Sequence, residues 1–134
     1  MEKKITGVHH IALRPSPEKF DETVKFYGEL LGMEEVCSWG EGTGRVSMLS
    51  TGDNSVMEIL STEGAVNPLS TGAIDHMAFA TEMVDELVET VRSAGYEITV
   101  EPKDVSLPSN PPMPIRIAFC KGPIGELVEF FHVK

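Results

Sequence analysis

The sequence is poor in basic residues and has no long apolar run. Its 134 residues include 11 lysines and arginines against 21 aspartates and glutamates, which gives a formal net charge of −10. This balance argues against a nucleic-acid partner, because such a partner requires a basic surface that neutralises phosphates. It also argues against binding to anionic membranes. No segment approaches the roughly 20 consecutive apolar residues of a membrane-spanning helix.

Cysteine is also scarce. The two cysteines, Cys37 and Cys120, lie far apart and lack the spacing of a zinc site, so we expect reduced thiols and no disulfide framework. The first residues show no apolar run of the kind that forms a signal peptide, because charged residues and Pro15 interrupt it. Together these features predict a cytoplasmic protein.

The length and composition predict one ordinary globular domain. A chain of 134 residues is long enough for one hydrophobic core and too short for two independent domains of typical size. Hydrophobic residues make up 41% and charged residues 24% of the sequence, which is typical of a folded domain and not of a disordered chain. We therefore expect a single domain over residues 1–134.

The second half of the sequence repeats the pattern of the first half. Residues 7–13, GVHHIAL, align with residues 73–79, AIDHMAF, and both are short apolar strand candidates with a histidine near the start. A helical pattern follows each of them. Ser16 and Thr81 are the expected capping residues, and glycines near positions 32 and 95 are expected to end the helices.

Three strand candidates follow each predicted helix. They cover residues 34–39, 45–49 and 55–61 in the first half, and residues 97–100, 115–121 and 126–133 in the second half. The order predicts an α+β fold made of two βαβββ modules, roughly residues 5–62 and 72–133. The proline-rich residues 107–114 are expected to form an extended loop, either a cover over a binding cavity or a plain connection.

Four residues recur in pairs at equivalent positions. His10 and His76 lie in the first strand of each module, whereas Glu58 and Glu129 interrupt the apolar last strands. Because side chains alternate along a strand, His10 is the inward candidate and His9 is expected to point outward. A lone histidine is often structural, and a lone glutamate can face solvent, but a buried carboxylate needs a partner. The recurrence of all four favours one shared divalent metal ion.

Two further segments resemble a known family. Residues 25–33, KFYGELLGM, and residues 121–129, KGPIGELVE, together with the repeat, are similar to the vicinal oxygen chelate superfamily, which includes glyoxalase I, epimerases, extradiol dioxygenases and antibiotic-resistance proteins. The resemblance implies an open, curled, barrel-like sheet around a metal site. It also implies which side chains bind the metal, which could be nickel, zinc, cobalt or manganese: His10, Glu58, His76 and Glu129.

The resemblance further implies a metal-dependent lyase or isomerase of the glyoxalase I type. The expected reaction is proton transfer next to a carbonyl through a metal-stabilised enediolate, with a thiol hemiacetal of a 2-oxoaldehyde as the expected small-molecule substrate. Glu129 is the expected base, and Glu58 is a second catalytic carboxylate. Arg14 matches a position that often binds a substrate carboxylate in glyoxalase I-like proteins.

Two other functions stay open at this stage. One is an epimerase of acyl thioesters similar to methylmalonyl-CoA epimerase, which shares the first proton transfer. The other is a binding protein that holds a small molecule, such as an antibiotic, without turnover. The family also implies a homodimer, and the sequence does not decide between a site within one chain and a site shared by two chains.

Overall fold

The structure is a computed structural model, and it describes residue 4 and residues 8–68, 74–109 and 111–134. The predicted module starts at 5 and 72 lie outside the described residues, as do Gly7, Ala73 and Asn110 of the predicted segments. The chain divides into two compact units, one ending at Val66 and the other beginning at Asn67.

The first unit contains one open four-stranded sheet and one helix, which continues into a π-helical turn. The strand order is β1-β4-β3-β2, with β1 parallel to β4 and the other pairs antiparallel. In chain order its elements are β1 (His10–Leu13), α1 (Pro17–Lys25), the π-helical turn (Phe26–Leu30), β2 (Glu35–Trp39), a 3-10 turn (Gly42–Gly44), β3 (Val46–Ser50) and β4 (Val56–Leu60).

The second unit repeats this architecture. Its sheet has the order β5-β8-β7-β6, with β5 parallel to β8. Its elements are β5 (Met77–Ala80), α2 (Val84–Ser93), β6 (Ile98–Leu107), β7 (Met113–Lys121) and β8 (Leu127–Val133). The predicted α+β class and the duplicated βαβββ order are therefore confirmed.

The helices begin close to the predicted residues, but the predicted caps differ in detail. Ser16 directly precedes α1, yet its side chain makes no capping hydrogen bond. Ser16 therefore occupies the predicted N-cap position, but the Lys19 N–H donates a hydrogen bond of 3.0 Å to the Ser16 carbonyl and not to its hydroxyl. Thr81 lies three residues before α2, and its hydroxyl accepts a hydrogen bond of 2.9 Å from the Met83 N–H. Gly32 and Gly95, which follow the helices, have φ values of 77° and 95°, as expected for helix-terminating glycines.

Each helix packs its apolar stripe against its own sheet. In the second unit Val84, Val88 and Val91 are buried, and α2 packs on β6, β7 and β8. Burial of a valine side chain contributes roughly 1.5–3 kcal/mol. The first unit buries a comparable set between α1, its π-helical turn and the sheet: Phe20, Phe26, Tyr27, Leu49, Met57 and Ile59.

The proline-rich segment differs from the prediction of a loop over residues 107–114. Leu107 is the last residue of β6 and pairs with Met113 of β7, and Ser106 pairs with Pro114. Within the described part of this segment, only residues 108, 109, 111 and 112 lie outside the two strands. Pro114 fits into the strand because its carbonyl still accepts a hydrogen bond, here of 3.0 Å from the Lys134 N–H, although it has no N–H to donate.

The state of the cysteines and the length of the helices agree with what the composition predicts. Cys37 and Cys120 are both free thiols, and burial raises the pKa of the Cys120 thiol to about 12. Among the described residues, no helix has the length and apolar character needed to cross a membrane.

The turn before β8 depends on a glycine. A Cβ atom at Gly122 would overlap the carboxyl group of Glu126, which is buried and accepts a hydrogen bond of 3.0 Å from the Ile124 N–H. The carboxyl group can move aside only by losing this bond. We therefore expect Gly122→Ala to lower the free energy of unfolding by about 1–3 kcal/mol, measured by urea denaturation.

Gly44→Ala provides the matched control, because a Cβ atom there meets no atom within 4 Å and Gly44 has no positive φ. Its effect should stay within about 0.5 kcal/mol. Equal stability of the Gly122→Ala variant and the wild type would contradict the assigned role of Gly122.

Candidate functional site

In the first unit, His10 and Glu58 lie on the same face of the sheet. Ala12 of β1 is the register partner of Glu58 in β4, and His10 precedes Ala12 by two residues. Because side chains alternate along a strand, all three project from one face. His10 is exposed and Glu58 is half-buried, with Met48 of β3 opposite Glu58. The parallel pairing of β1 with β4 thus places a histidine and a carboxylate on one surface.

His9 does not behave as the alternation rule predicts. Its ring contacts the ring of His10 in a T-shaped arrangement, with the two Nδ1 atoms 3.0 Å apart. The prediction fails because β1 begins at His10, so His9 lies just before the regular strand. One of the two Nδ1 atoms must carry the proton that the other accepts.

In the second unit, the equivalent pair is in direct contact. Ala78 of β5 is the register partner of Glu129 in β8, and His76 precedes Ala78 by two residues. The His76 Nε2 atom lies 3.1 Å from Glu129 Oε1. Glu129 is 7% exposed, whereas the side chain of His76 is 34% exposed. The structure therefore brings His76 and Glu129 together at the edge of the buried region.

The other nitrogen of His76 is also engaged. His76 Nδ1 lies 2.7 Å from Asp75 Oδ2, and because a carboxylate only accepts, Nδ1 must carry the proton. The Phe119 ring packs against the His76 ring with the centroids 5.3 Å apart and the planes at 75°. Phe119 is also the register partner of Glu129. His76 is thus held by a carboxylate, an aromatic ring and a second carboxylate.

These contacts change the acidity of both members of the pair. The hydrogen bond to Asp75 is the main cause that raises the pKa of His76 above its ordinary value, and the Glu129 carboxylate adds to it. Burial raises the pKa of Glu129, and this effect outweighs the opposing influence of the neighbouring His76 ring. A carboxylate with a raised pKa is a better proton acceptor near neutral pH than an exposed one.

Arg14 follows β1 directly and is exposed. It makes no ion pair or hydrogen bond with another of the described residues. Its guanidinium group therefore carries a positive charge that is available to an anion.

The described residues contain no group of three or more His, Cys, Asp or Glu side chains arranged to hold a metal ion. Each unit instead places one histidine and one glutamate on the same face of its sheet. The metal site made of all four residues stays a prediction. The pair in the second unit supplies an imidazole nitrogen and a carboxylate oxygen, which are donors that suit a divalent ion. His76 Nε2 and Glu129 Oε1 lie 3.1 Å apart, so the two residues that would hold the ion are already neighbours.

Sequence reasoning missed the contact of Asp75 with His76. Neighbouring residues point to opposite faces within a strand, so the pattern gave no reason to link the two side chains. The link exists because both residues precede β5, which begins at Met77. The only signal in the sequence was an acidic residue adjacent to a candidate ligand.

Comparison with known proteins identifies the family of the chain. The sequence model of the family described as the Glyoxalase/Bleomycin resistance protein/Dioxygenase superfamily matches residues 7–130. The chain therefore belongs to this superfamily, which confirms the resemblance seen in the sequence. Its members commonly use a divalent metal ion, bind small molecules and often form dimers. A search of curated proteins found no match.

Solved structures share the fold over nearly the whole chain. A glyoxalase family protein from Bacillus anthracis is 26% identical, with full coverage of both chains and a TM-score of 0.71. The trypanothione-dependent glyoxalase I of Leishmania major is 25% identical, covering 96% of this chain and 87% of that one, with a TM-score of 0.71. An antibiotic-binding protein from Streptomyces sp. CB03234 shares the fold at 16% identity, covering 99% of this chain and 100% of that one, with a TM-score of 0.73.

Proposed function

We propose that the protein is a metal-dependent lyase or isomerase of the glyoxalase I type. One divalent ion is held by two histidines and two glutamates, His10, Glu58, His76 and Glu129. The observation that carries the proposal is the contact of 3.1 Å between His76 Nε2 and the buried Glu129 carboxylate. A mostly buried carboxylate beside an imidazole is a costly arrangement that cation binding offsets.

The charge of the second pair supports a cation. His76 lies between two carboxylates, Asp75 and Glu129, so a divalent ion can take the place of the proton on Nε2 while Nδ1 keeps its hydrogen bond. Metal binding then releases one proton and leaves both donors satisfied. If a neutral ligand took the place of the proton on His76 Nε2, Glu129 would be buried without a charge partner.

The first unit supplies the matching pair. Ala12 faces Glu58 as Ala78 faces Glu129, so His10 and Glu58 occupy the same places in their module as His76 and Glu129. Two imidazoles and two carboxylates suit nickel, zinc, cobalt or manganese. We propose these four residues as the complete set of protein ligands.

The chemistry follows from the residues and their burial. A bound divalent ion would supply Lewis-acid stabilisation of the negative charge that develops on a substrate carbonyl oxygen. Glu129 removes the proton from the carbon next to that carbonyl and returns it to the adjacent carbon. A thiol hemiacetal of a 2-oxoaldehyde is the proposed substrate, because this transfer converts it into a hydroxy thioester.

Arg14 is the proposed anchor for the rest of the substrate. It is exposed beside β1, on the strand that carries His10, and no described residue pairs with its charge. A guanidinium group binds a carboxylate in a bidentate manner. The proposed partner is therefore the carboxylate of a thiol-bearing substrate portion.

An epimerase of acyl thioesters is the second candidate. The observation that favours it is the identical register of Glu58 and Glu129, since epimerisation needs a proton acceptor and a proton donor on opposite faces of the reacting carbon. An acyl-thioester assay run in parallel with a hemithioacetal assay separates the two enzymes. A non-catalytic antibiotic-binding protein is a third candidate, favoured by the shared fold of the Streptomyces protein.

The oligomeric state and the cellular location are also proposed as the sequence leads us to expect them. We propose a homodimer located in the cytoplasm, in keeping with two free thiols. Size-exclusion chromatography with light scattering measures the number of chains per particle.

The first prediction concerns metal content. The purified wild type should retain about one transition metal ion per chain after mild dialysis, and His76→Ala should lose it, because one of four ligands is removed. Mass spectrometry of the metal content provides the measurement. His132→Ala is the control, since His132 lies on β8 but on the opposite face from Glu129, and it should retain the ion.

A wild type that holds no metal and takes up none on reconstitution contradicts the lyase proposal. The protein should then be screened for stoichiometric binding of antibiotics.

The second prediction concerns the base. Glu129→Gln with metal bound should lower kcat for hemithioacetal isomerisation by about 10²–10⁴, because the amide cannot accept the proton. Glu82→Gln is the control, because Glu82 is exposed in the same unit and has no partner among the described residues. Full activity of a metal-loaded Glu129→Gln variant would remove Glu129 from the role of base.

A further inference from the structure

We propose that Asp75 is the positioning residue of the metal site: its carboxylate holds the His76 ring so that Nε2 faces Glu129. This inference rests on the proposed role of His76 as a metal ligand. Asp75 itself contacts neither the substrate nor the ion. It acts through the histidine beside it.

The geometry on both sides of the His76 ring carries the proposal. Asp75 Oδ2 lies 2.7 Å from Nδ1, and Glu129 Oε1 lies 3.1 Å from Nε2. Each nitrogen therefore has its own carboxylate, and rotation of the ring by half a turn about its χ2 axis would break both contacts. The bond from Asp75 selects the ring orientation in which Nε2 points toward the sheet face that carries Glu129.

Burial and regular strand structure do not fix the orientation of the His76 ring. Its side chain is 34% exposed, and it lies one residue before β5, outside the regular strand. The packing of Phe119 fixes one side of the ring, with the centroids 5.3 Å apart, but a ring contact alone does not distinguish the two nitrogens. A hydrogen-bonded carboxylate does distinguish them, because only an N–H can donate to it.

The first unit has a related contact made by a different group. His9 stands directly before His10, and its Nδ1 lies 3.0 Å from the Nδ1 of His10. In both modules, therefore, the residue before the proposed ligand histidine contacts the Nδ1 atom of that histidine. In the second module that residue is a carboxylate, and Nε2 of the histidine lies against the glutamate.

If Asp75 had a purely structural role, its removal would lower the thermal midpoint of the metal-free protein. The Asp75 side chain is 82% exposed, and exposed ion pairs contribute little to stability. Removal of Asp75 should therefore leave the thermal midpoint of the metal-free protein nearly unchanged. An effect on metal affinity without an effect on stability identifies positioning.

The experiment compares four proteins with cobalt(II) as the probe and a competing chelator as the reporter of affinity. Asp75→Ala should weaken cobalt binding about 10–100-fold, the usual cost of losing the partner of a ligand histidine. Asp75→Asn should recover most of this loss, because the amide oxygen still accepts the Nδ1 proton. Glu82→Ala removes the same charge from the same unit and should bind within about twofold of the wild type.

A second readout needs no metal. In the metal-free protein, nuclear Overhauser contacts between the His76 and Phe119 rings report the ring orientation, and they should weaken in Asp75→Ala but persist in Asp75→Asn. Unchanged contacts together with unchanged affinity in Asp75→Ala would overturn the inference. An equal loss in Asp75→Asn or in Glu82→Ala would also overturn it, because charge alone would then explain the effect.

The two proposals fail in distinguishable ways. If the wild type binds no cobalt, the proposed metal site falls, and the role of Asp75 as its positioning residue falls with it. If the wild type binds cobalt and Asp75→Ala binds it equally well with its ring contacts intact, only the positioning role falls.

Discussion

The parallel pairing of the first and last strands of each module is the constraint on which the rest of the site depends. A parallel pair requires a crossover, which α1 provides in the first unit and α2 in the second, together with the two intervening strands. The ladder places Ala12 beside Glu58 and Ala78 beside Glu129. A histidine two residues earlier on the first strand then shares the face of the glutamate. A shift of one residue would send the carboxylate to the helix side.

The two faces of the sheet in the second unit carry different side chains. The helix side carries apolar side chains such as Val128 and Phe130, which are fully buried, while the other face carries Glu129 between them. Because Glu129 is nearly buried, its charge is costly, and His76 offsets part of that cost. The face that carries Glu129 is not purely polar, because Ile115 and Ile117 of β7 lie on it and are also buried. Glu129 therefore shares its face with apolar side chains that help to exclude water.

The two modules are equivalent in register but not in chemistry. Glu129 is buried and contacts His76, whereas Glu58 is half-buried and His10 is exposed. A carboxylate, Asp75, contacts the histidine in one module, and an imidazole, His9, does so in the other. Phe119 and Met48 occupy equivalent places opposite the glutamates. The direct contact between histidine and glutamate is therefore a feature of the second module among the described residues.

The sequence by itself determined the duplicated βαβββ order and the helix-ending glycines. These features follow from periodicity and turn chemistry, which are local properties of the chain. Only the tertiary structure decided the length of the β6–β7 hairpin, the contact of His9 with His10 and the bond from Asp75 to His76. These depend on where a strand begins and which backbone groups already have partners, and both are set by pairing between residues far apart in the chain. The sequence also did not separate the two glutamates, which both interrupt apolar segments. Glu129 is buried and Glu58 is half-buried, and the side chains opposite them, Phe119 and Met48, come from strands that only the folded chain brings beside them.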